Sequence, residues 1–355
     1  MSRPGTFFSQ KVERKENVVF PLGAELRRSG RIVPVFLPFL GCPGRCVFCA
    51  QDAQTGSTGR FSLHAVLEEA SRVLEEAHAV GERCELAFYG GTFTALPARE
   101  RQACLDFLDR EKALGHVDCA RCSTRPDALD PDVLDELAQH GIDLVELGIQ
   151  SFCDEALALS RRGYSAETAL SACRKLSERG FLFGVQLLPG MPGSTPEVFL
   201  RDVETAAGLG PACMRFYPCL VPEGTELARW YRQGIYEPWS VAQTAEVLGR
   251  ALALAWQSGI PVIRLAVAPE GAFDSALAAG PRHPAMGGLV QAEALWHTVA
   301  AAAERLGRQP ERLALPRRCQ GFAFGERGML KERWKGMGLL PGGIVFEDRA
   351  DGELS

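Results

Sequence analysis

The chain has 355 residues, 46% of them hydrophobic and 23% charged, with 39 Lys and Arg against 44 Asp and Glu and a formal charge of −5. That length buries one barrel-sized core with a small addition, and the acidic balance gives no overall drive toward nucleic acid, although both signs are plentiful enough for a local basic groove. No apolar run approaches the roughly 20 residues of a membrane span, and the polar start from Met1 to Asn17 lacks the apolar region of a secretory signal, so the expectation is a cytoplasmic protein with no membrane partner.

The first structural signal is Arg31 to Leu40, RIVPVFLPFL, which predicts a buried strand halting at Gly41-Cys42-Pro43. Helical patterns at Leu63–Ala79, Ala98–Glu111, Asp130–Gln139, Asp154–Leu159 with Ala166–Glu178, and Pro196–Ala207 alternate with apolar runs near Glu85–Tyr89, Cys119–Ser123, Leu144–Gly148, Leu182–Leu187 and Met214–Tyr217. Strand and helix in alternation mean parallel β/α units, and six of them at this spacing suit an open barrel. Beyond Tyr217 come a loop with Trp230, Tyr231, Tyr236 and Trp239, a long helix Ser240–Ser258, a strand Pro261–Val267, a turn-rich stretch Gly271–Gly288 and a helix Ala292–Leu306. The expected fold is therefore α/β, a partial (β/α)6 TIM-like barrel with a C-terminal α/β extension. Residues 1–30 form an N-terminal extension, 31–265 the core barrel, and 266–355 an extension lying on it.

Twelve cysteines spread over a long chain without a secretory signal point to metal or to inert buried thiols. Only Cys42, Cys46 and Cys49 are close enough in sequence to chelate, with spacing C-x-x-x-C-x-x-C directly after the first strand. Thiolates hold iron–sulfur clusters, and three of them leave one iron of a cubane open to another ligand. A three-thiolate zinc site is the alternative, but zinc generally takes a fourth Cys or His, and none lies within 14 residues on either side. The position supports chemistry, because active sites of parallel barrels sit at the C-terminal strand ends. Cys119 and Cys122 also form C-x-x-C, but on a strand residues three apart face opposite sides.

The triplet, with Phe48 before its third cysteine, resembles the radical S-adenosylmethionine (SAM) superfamily. Further matches are Phe88-Tyr89-Gly90-Gly91-Thr92, Ser123-Thr124-Arg125-Pro126-Asp127, Glu146-Leu147-Gly148-Ile149-Gln150-Ser151, Ser160-Arg161-Arg162-Gly163-Tyr164 and the fifth-strand run Gly184 to Gly193. With Arg215-Phe216-Tyr217-Pro218 and Gly224-Thr225, the set is similar to the catalytic subunit of Elongator and, less closely, to oxygen-independent coproporphyrinogen oxidase. The similarity covers about residues 31 to 290. It implies a [4Fe–4S] cluster on Cys42, Cys46 and Cys49, and SAM as the ligand of the open iron. Gly90, Gly91 and Thr92 would meet the methionyl amino group, with Thr92 in place of the usual Glu. Gln150 and Arg162 would hold ribose and carboxylate, with Arg161 competing for the latter role.

Ser123, Arg125 and Gln186 are placed at the barrel mouth as further cofactor contacts, although Arg125 could instead order the next helix and Gln186 could be structural. Tyr217 stands either at the substrate or in the core, and His283 is read as structural. The family's chemistry is reductive SAM cleavage to a 5′-deoxyadenosyl radical, fed by a donor such as flavodoxin or ferredoxin. About 90 residues follow Val267 with no clear acetyl-CoA loop, so an acetyltransferase domain like that of the Elongator subunit is not expected. Three functions stay open: modification of RNA such as tRNA, modification of a small molecule or peptide in a pocket shaped by the Trp230–Trp239 loop, and a non-catalytic iron–sulfur sensor.

Overall fold

The computed structural model describes residues 16–23, 30–51, 61–266 and 275–355. Most of the expected N-terminal extension and residues 271–274 of the turn-rich stretch lie outside them. In chain order the strands are β1 (Val18–Phe20), β2 (Arg31–Leu37), β3 (Cys84–Gly90), β4 (Cys119–Thr124), β5 (Leu144–Gln150), β6 (Leu182–Leu187), β7 (Cys213–Phe216), β8 (Val221–Pro222), β9 (Val262–Leu265), β10 (Leu277–Ala279), β11 (Leu313–Pro316), β12 (Ile344–Glu347) and β13 (Gly352–Leu354). The helices are α1 (Leu63–Ala79), α2 (Ala98–Ala113), α3 (Pro131–Gln139), α4 (Asp154–Leu159), α5 (Ala166–Glu178), α6 (Pro196–Gly208), α7 (Glu226–Arg232), α8 (Val241–Gln257), α9 (Met286–Leu306) and α10 (Lys331–Met337).

Most helices start where a short polar side chain can take a free backbone N–H of the first turn. Ser62, Asp130, Ser165, Thr195, Thr225 and Ser240 each accept such a bond at the starts of α1, α3, α5, α6, α7 and α8. The central strands are mostly buried on both faces, as a parallel sheet covered by helices requires, although several carry a charged residue on the face turned into the barrel. They join in the order β2-β3-β4-β5-β6-β7-β9, all parallel, forming the curled half-barrel of a partial TIM fold. The sheet has one strand more than the six β/α units read from the sequence. Its seventh member, β9, falls within the strand expected at Pro261–Val267, for which the sequence suggests no pairing; it pairs Arg264 with Arg215 and Leu265 with Phe216. The long excursion through β8, α7 and α8 hides this pairing from a reading based on regular spacing.

Helix α9 also begins six residues earlier than its pattern predicts, and Gly287 and Gly288 sit inside its first turn. Burial of Met286, Leu289 and Val290 against the core outweighs the weak helix propensity of two glycines. The strands β1, β13, β11 and β12 form a second sheet, against which α9 packs, and Trp296 of α9 meets Trp334 of α10 with ring centroids 5.2 Å apart. Arg318 donates to the carbonyls of Leu22 and Ala350 at 2.6 and 2.7 Å, clipping the N-terminal segment to the C-terminal one. None of the described helices is long and apolar enough to cross a membrane.

Candidate active site

The C-terminal ends of the parallel strands surround a cavity of about 430 Å³, within the size range of small-molecule sites. Cys42, Cys46 and Cys49 line it from the loop after β2. Gly90, Gly91 and Thr92 reach it at the end of β3, and Ser123 and Arg125 around the end of β4. Gln150, Arg162, Gln186, Arg215, Tyr217 and Arg264 complete the wall, with Phe48 beside the cysteines. All twelve residues singled out above as cluster or SAM contacts therefore face one space. Among the described residues no three His, Cys, Asp or Glu side chains converge as they would around one ion. Cluster thiolates bind separate irons and do not need to. Cys49 is pushed up to about 12 by burial and then by Cys46 and Cys42, so without a metal it is a neutral thiol; metal coordination is what deprotonates such a group.

Backbone contacts fix the cysteine loop. The amide of Gly91 donates to Leu37 at 2.8 Å and that of Thr92 to Leu40 at 2.7 Å. A Cβ on Gly91 would fall 1.9 Å from the Leu40 carbonyl oxygen, so this glycine is required for close approach of two backbones. Gln51, which the sequence reading passed over, latches the same junction. Its Oε1 accepts from the Phe39 amide at 2.5 Å and its Nε2 donates to the Gly90 carbonyl at 2.7 Å. Val47 points away from the cavity into a separate apolar cluster with Leu188, Met191, Val221, Leu227 and Tyr236. Its amide donates to Ser160 at 3.3 Å and its carbonyl accepts from Leu227 at 2.9 Å.

The aromatic loop serves this support and not the pocket, since none of Trp230, Tyr231, Tyr236 and Trp239 lines the cavity. The Tyr236 hydroxyl donates to the Gly190 carbonyl at 2.7 Å. Trp239 covers Gly190 and meets Phe199 edge to face at 6.5 Å.

Arg162, 6% exposed, donates to the Cys46 sulfur at 2.9 Å, to the Gly148 carbonyl at 2.6 Å and to the Tyr164 hydroxyl at 2.9 Å. Its neighbour Arg161 turns outward to Glu226 at 3.2 Å, so of the two only Arg162 reaches the cavity. Thr92 places its hydroxyl 3.2 Å from the Cys42 sulfur. Arg125 grips Asp127 through two bonds of 2.9 and 2.8 Å and also meets the Arg162 carbonyl. It thus lines the cavity while ordering the loop before α3, whose own cap is Asp130. Gln150 stands at φ +70°, and its Oε1 is buried with no partner. His283 accepts from the Ala285 amide at 3.1 Å at the start of α9, a structural role.

Asp202 of α6 holds the Gln150 loop from behind. It accepts from the Ser151 hydroxyl at 2.6 Å and the Phe152 amide at 2.8 Å. Burial raises its carboxyl to about 6, against the pull of those two donors. With the folded value above the ordinary 3.8, the folded chain binds more protons between those limits. The stabilisation from Asp202 is thus complete at low pH and lost as pH rises through 6. The stability of wild type relative to Asp202→Asn is expected to fall by about 2 kcal/mol between roughly pH 4.5 and 7.5. Urea unfolding of both proteins at the two pH values measures it, and a constant difference would refute the assignment.

The floor carries a ladder of buried charge that the sequence reading missed. Arg121 pairs with Glu85 through Nε at 2.8 Å and through Nη2, and with Glu146 at 3.0 Å. Glu146 also pairs with Arg215, whose Nη2 is at 2.9 Å, and accepts from the Tyr89 hydroxyl at 3.2 Å. Arg215 further donates to the hydroxyls of Tyr89 and Tyr217 at 2.7 and 3.0 Å. Burial first, then the Glu146 charge, hold the Tyr89 phenol well above its ordinary value, so it stays a donor. The available signal was one charge within each of four otherwise largely apolar strands: Glu85, Arg121, Glu146 and Arg215.

A half-barrel with a three-thiol loop over its first strand, facing strand-end amide and guanidinium groups, defines a cluster-dependent barrel enzyme. The sequence profile of the radical SAM superfamily matches residues 36–206, and that of the radical SAM C-terminal domain matches residues 211–295. The chain belongs to the radical SAM superfamily of enzymes, whose cofactors are a [4Fe–4S] cluster and SAM. It is 30% identical over 263 residues to a tRNA uridine(34) acetyltransferase of Methanocaldococcus infernus, covering 62% of this chain and 48% of the relative. To mouse Elongator complex protein 3 it is 26% identical, covering 50% and 36%. The structure of the archaeal Methanocaldococcus infernus Elp3 lacking residues 1–46 superposes with a TM-score of 0.58 at 24% identity, covering 77% of this chain and 64% of that one. The chain thus spans about half the length, or less, of these curated relatives.

The residues present fit the family's cofactors. Three thiols share one loop, and a buried amide oxygen without a partner faces a cavity of suitable volume.

Proposed function

We propose that the chain cleaves SAM reductively and uses the resulting radical chemistry on a uridine in RNA presented at the open barrel mouth. The observation that carries the enzymatic part is the convergence of three thiols, Arg162 and the unpartnered Gln150 oxygen on one cavity. The RNA part is supported by the uridine-modifying relatives.

When bound, the cluster and SAM supply S–C bond cleavage by one electron and hydrogen-atom abstraction. Cys42, Cys46 and Cys49 would hold the cluster. Arg162 and Gln150 would orient the SAM carboxylate and ribose, a guanidinium and an amide being suited to an anion and to hydroxyls respectively. Backbone carbonyls of the Gly90–Gly91 turn would accept from the ammonium, with Thr92 supplying no charge. Phe36, Phe48 and Leu188 line the cavity and exclude water, while the Glu146–Arg215–Tyr217 set fixes the floor on which a substrate rests. The electron comes from an external donor such as flavodoxin or ferredoxin. The proposed division places this machinery in residues 31–265.

Anaerobically reconstituted protein, reduced and given SAM with bulk tRNA, is expected to release 5′-deoxyadenosine faster than without RNA. Cys46→Ala should lose cluster absorbance and 5′-deoxyadenosine together. SAM cleavage persisting in that variant would overturn the ligand assignment, and RNA without effect on wild type would overturn the substrate.

A further inference from the structure

The cavity-lining cations are not equivalent. Arg125 is matched by Asp127 and Arg215 by Glu146. Arg162 is anchored through three of its five N–H donors to Cys46, Gly148 and Tyr164, and the reading above assigns the rest to SAM. Arg264 lines the same cavity and is the one lining arginine with neither an acidic partner nor a hydrogen bond among the described residues.

Its position is set by register. In a parallel pair, side chains at matched positions emerge on the same face, and Arg264 is matched with Arg215, whose guanidinium points into the barrel toward Tyr89 and Tyr217. A charge on an edge strand often serves only to keep that edge solvated. Arg264 instead faces inward across the half-barrel, on the edge strand opposite β2 and its cysteine loop. It therefore stands apart from Gln150 and Arg162, which lie on and beside the central strand β5.

We propose that Arg264 is an anion subsite that binds a phosphate of the substrate, holding a nucleotide between β7 and β9 with its base toward the cysteine loop. Naming a nucleotide rests on the reading above; the subsite itself rests on the uncompensated guanidinium. A phosphate suits an arginine fork that is free to make two bonds, and the exposed position leaves room for a polymer backbone to continue into solvent.

The test uses the whole chain, without reduction, and measures binding of uridine 5′-monophosphate and of uridine by calorimetry at low salt. The monophosphate is expected to bind about tenfold more tightly, the worth of one charge-assisted hydrogen-bonded contact. Inorganic phosphate should compete, and added salt should shrink the preference. Arg264→Gln should bring the two ligands within about twofold of each other while leaving uridine affinity unchanged. The side chain is exposed, so an unaltered melting curve is expected as the folding control. Equal affinities in wild type, no binding of either ligand, or a preference that survives Arg264→Gln would overturn the proposal. Malonate displacing the monophosphate where inorganic phosphate does not would also overturn it, by showing a carboxylate site. Loss of the preference prediction with 5′-deoxyadenosine formation intact would remove this inference alone, whereas absence of 5′-deoxyadenosine would remove the reading beneath it.

Discussion

Gly91→Ala is expected to yield a folded chain that cannot assemble its cluster. The added carbon would lie 1.9 Å from the Leu40 oxygen, 2.7 Å from its nitrogen and 2.8 Å from its carbonyl carbon. All three are backbone atoms, so no side-chain rotation relieves the clash, and Leu40 must move. Leu40 is two residues from Cys42, and the Thr92 amide bond to Leu40 would move with it. Overpacking of this kind costs about 1–3 kcal/mol, which a chain of this size tolerates, but displacement of one thiol from three is enough to lose a cubane. Iron and sulfide after anaerobic reconstitution should drop from about four each per chain to well below one, while far-ultraviolet circular dichroism stays unchanged. The control is Gly44→Ala in the same loop, where a Cβ meets nothing within 4 Å and full loading is expected. Full loading of Gly91→Ala would show that the β3 turn does not set the cysteine loop.

The second large effect is expected at Glu146. This carboxylate is 3% exposed and is shared by Arg121 and Arg215. Replacing it with Gln keeps the shape and removes the charge, leaving Arg121 paired with Glu85 and Arg215 with no carboxylate among the described residues. Breaking a buried pair in this way costs about 3–5 kcal/mol, so the urea midpoint should fall by a large part of the total. Arg121 shows the same balance, since burial opposes its charge and Glu85, Tyr89 and Glu146 outweigh that opposition. A loss below about 1 kcal/mol would mean that water reaches the ladder and that the floor is softer than its packing implies.

Much of this molecule could be read from residue order, because β/α units report themselves through local rules. The apolar runs are strands, the capped periodic segments are helices, and the C-x-x-x-C-x-x-C loop sits where a parallel barrel puts its chemistry. What escaped depends on pairing across long separations. The attachment of β9 to β7 needs the chain to return after some 45 residues, and no local pattern encodes that. The four charges of the floor looked like isolated exceptions within apolar strands until the register aligned Arg121 with Leu144, two positions before Glu146, and Arg215 with Gln186. The aromatic loop was misplaced for a related reason. Large rings indicate burial, but only the fold shows that Tyr236 and Trp239 are spent on Gly190 beneath the cysteine loop. Gln51 was invisible because its side-chain bonds to Phe39 and Gly90 go to backbone groups.

The second sheet has a consequence for the order in which the protein forms. Among the described residues strand β1 is paired only with β13, Val18 opposite Leu354 and Phe20 opposite Gly352. During synthesis the half-barrel can close once β9 has emerged, and β1 can then pack against α9, whereas its ladder with β13 must wait until residues 352–354 leave the ribosome. A strand that precedes the whole barrel in sequence is thus among the last to be paired.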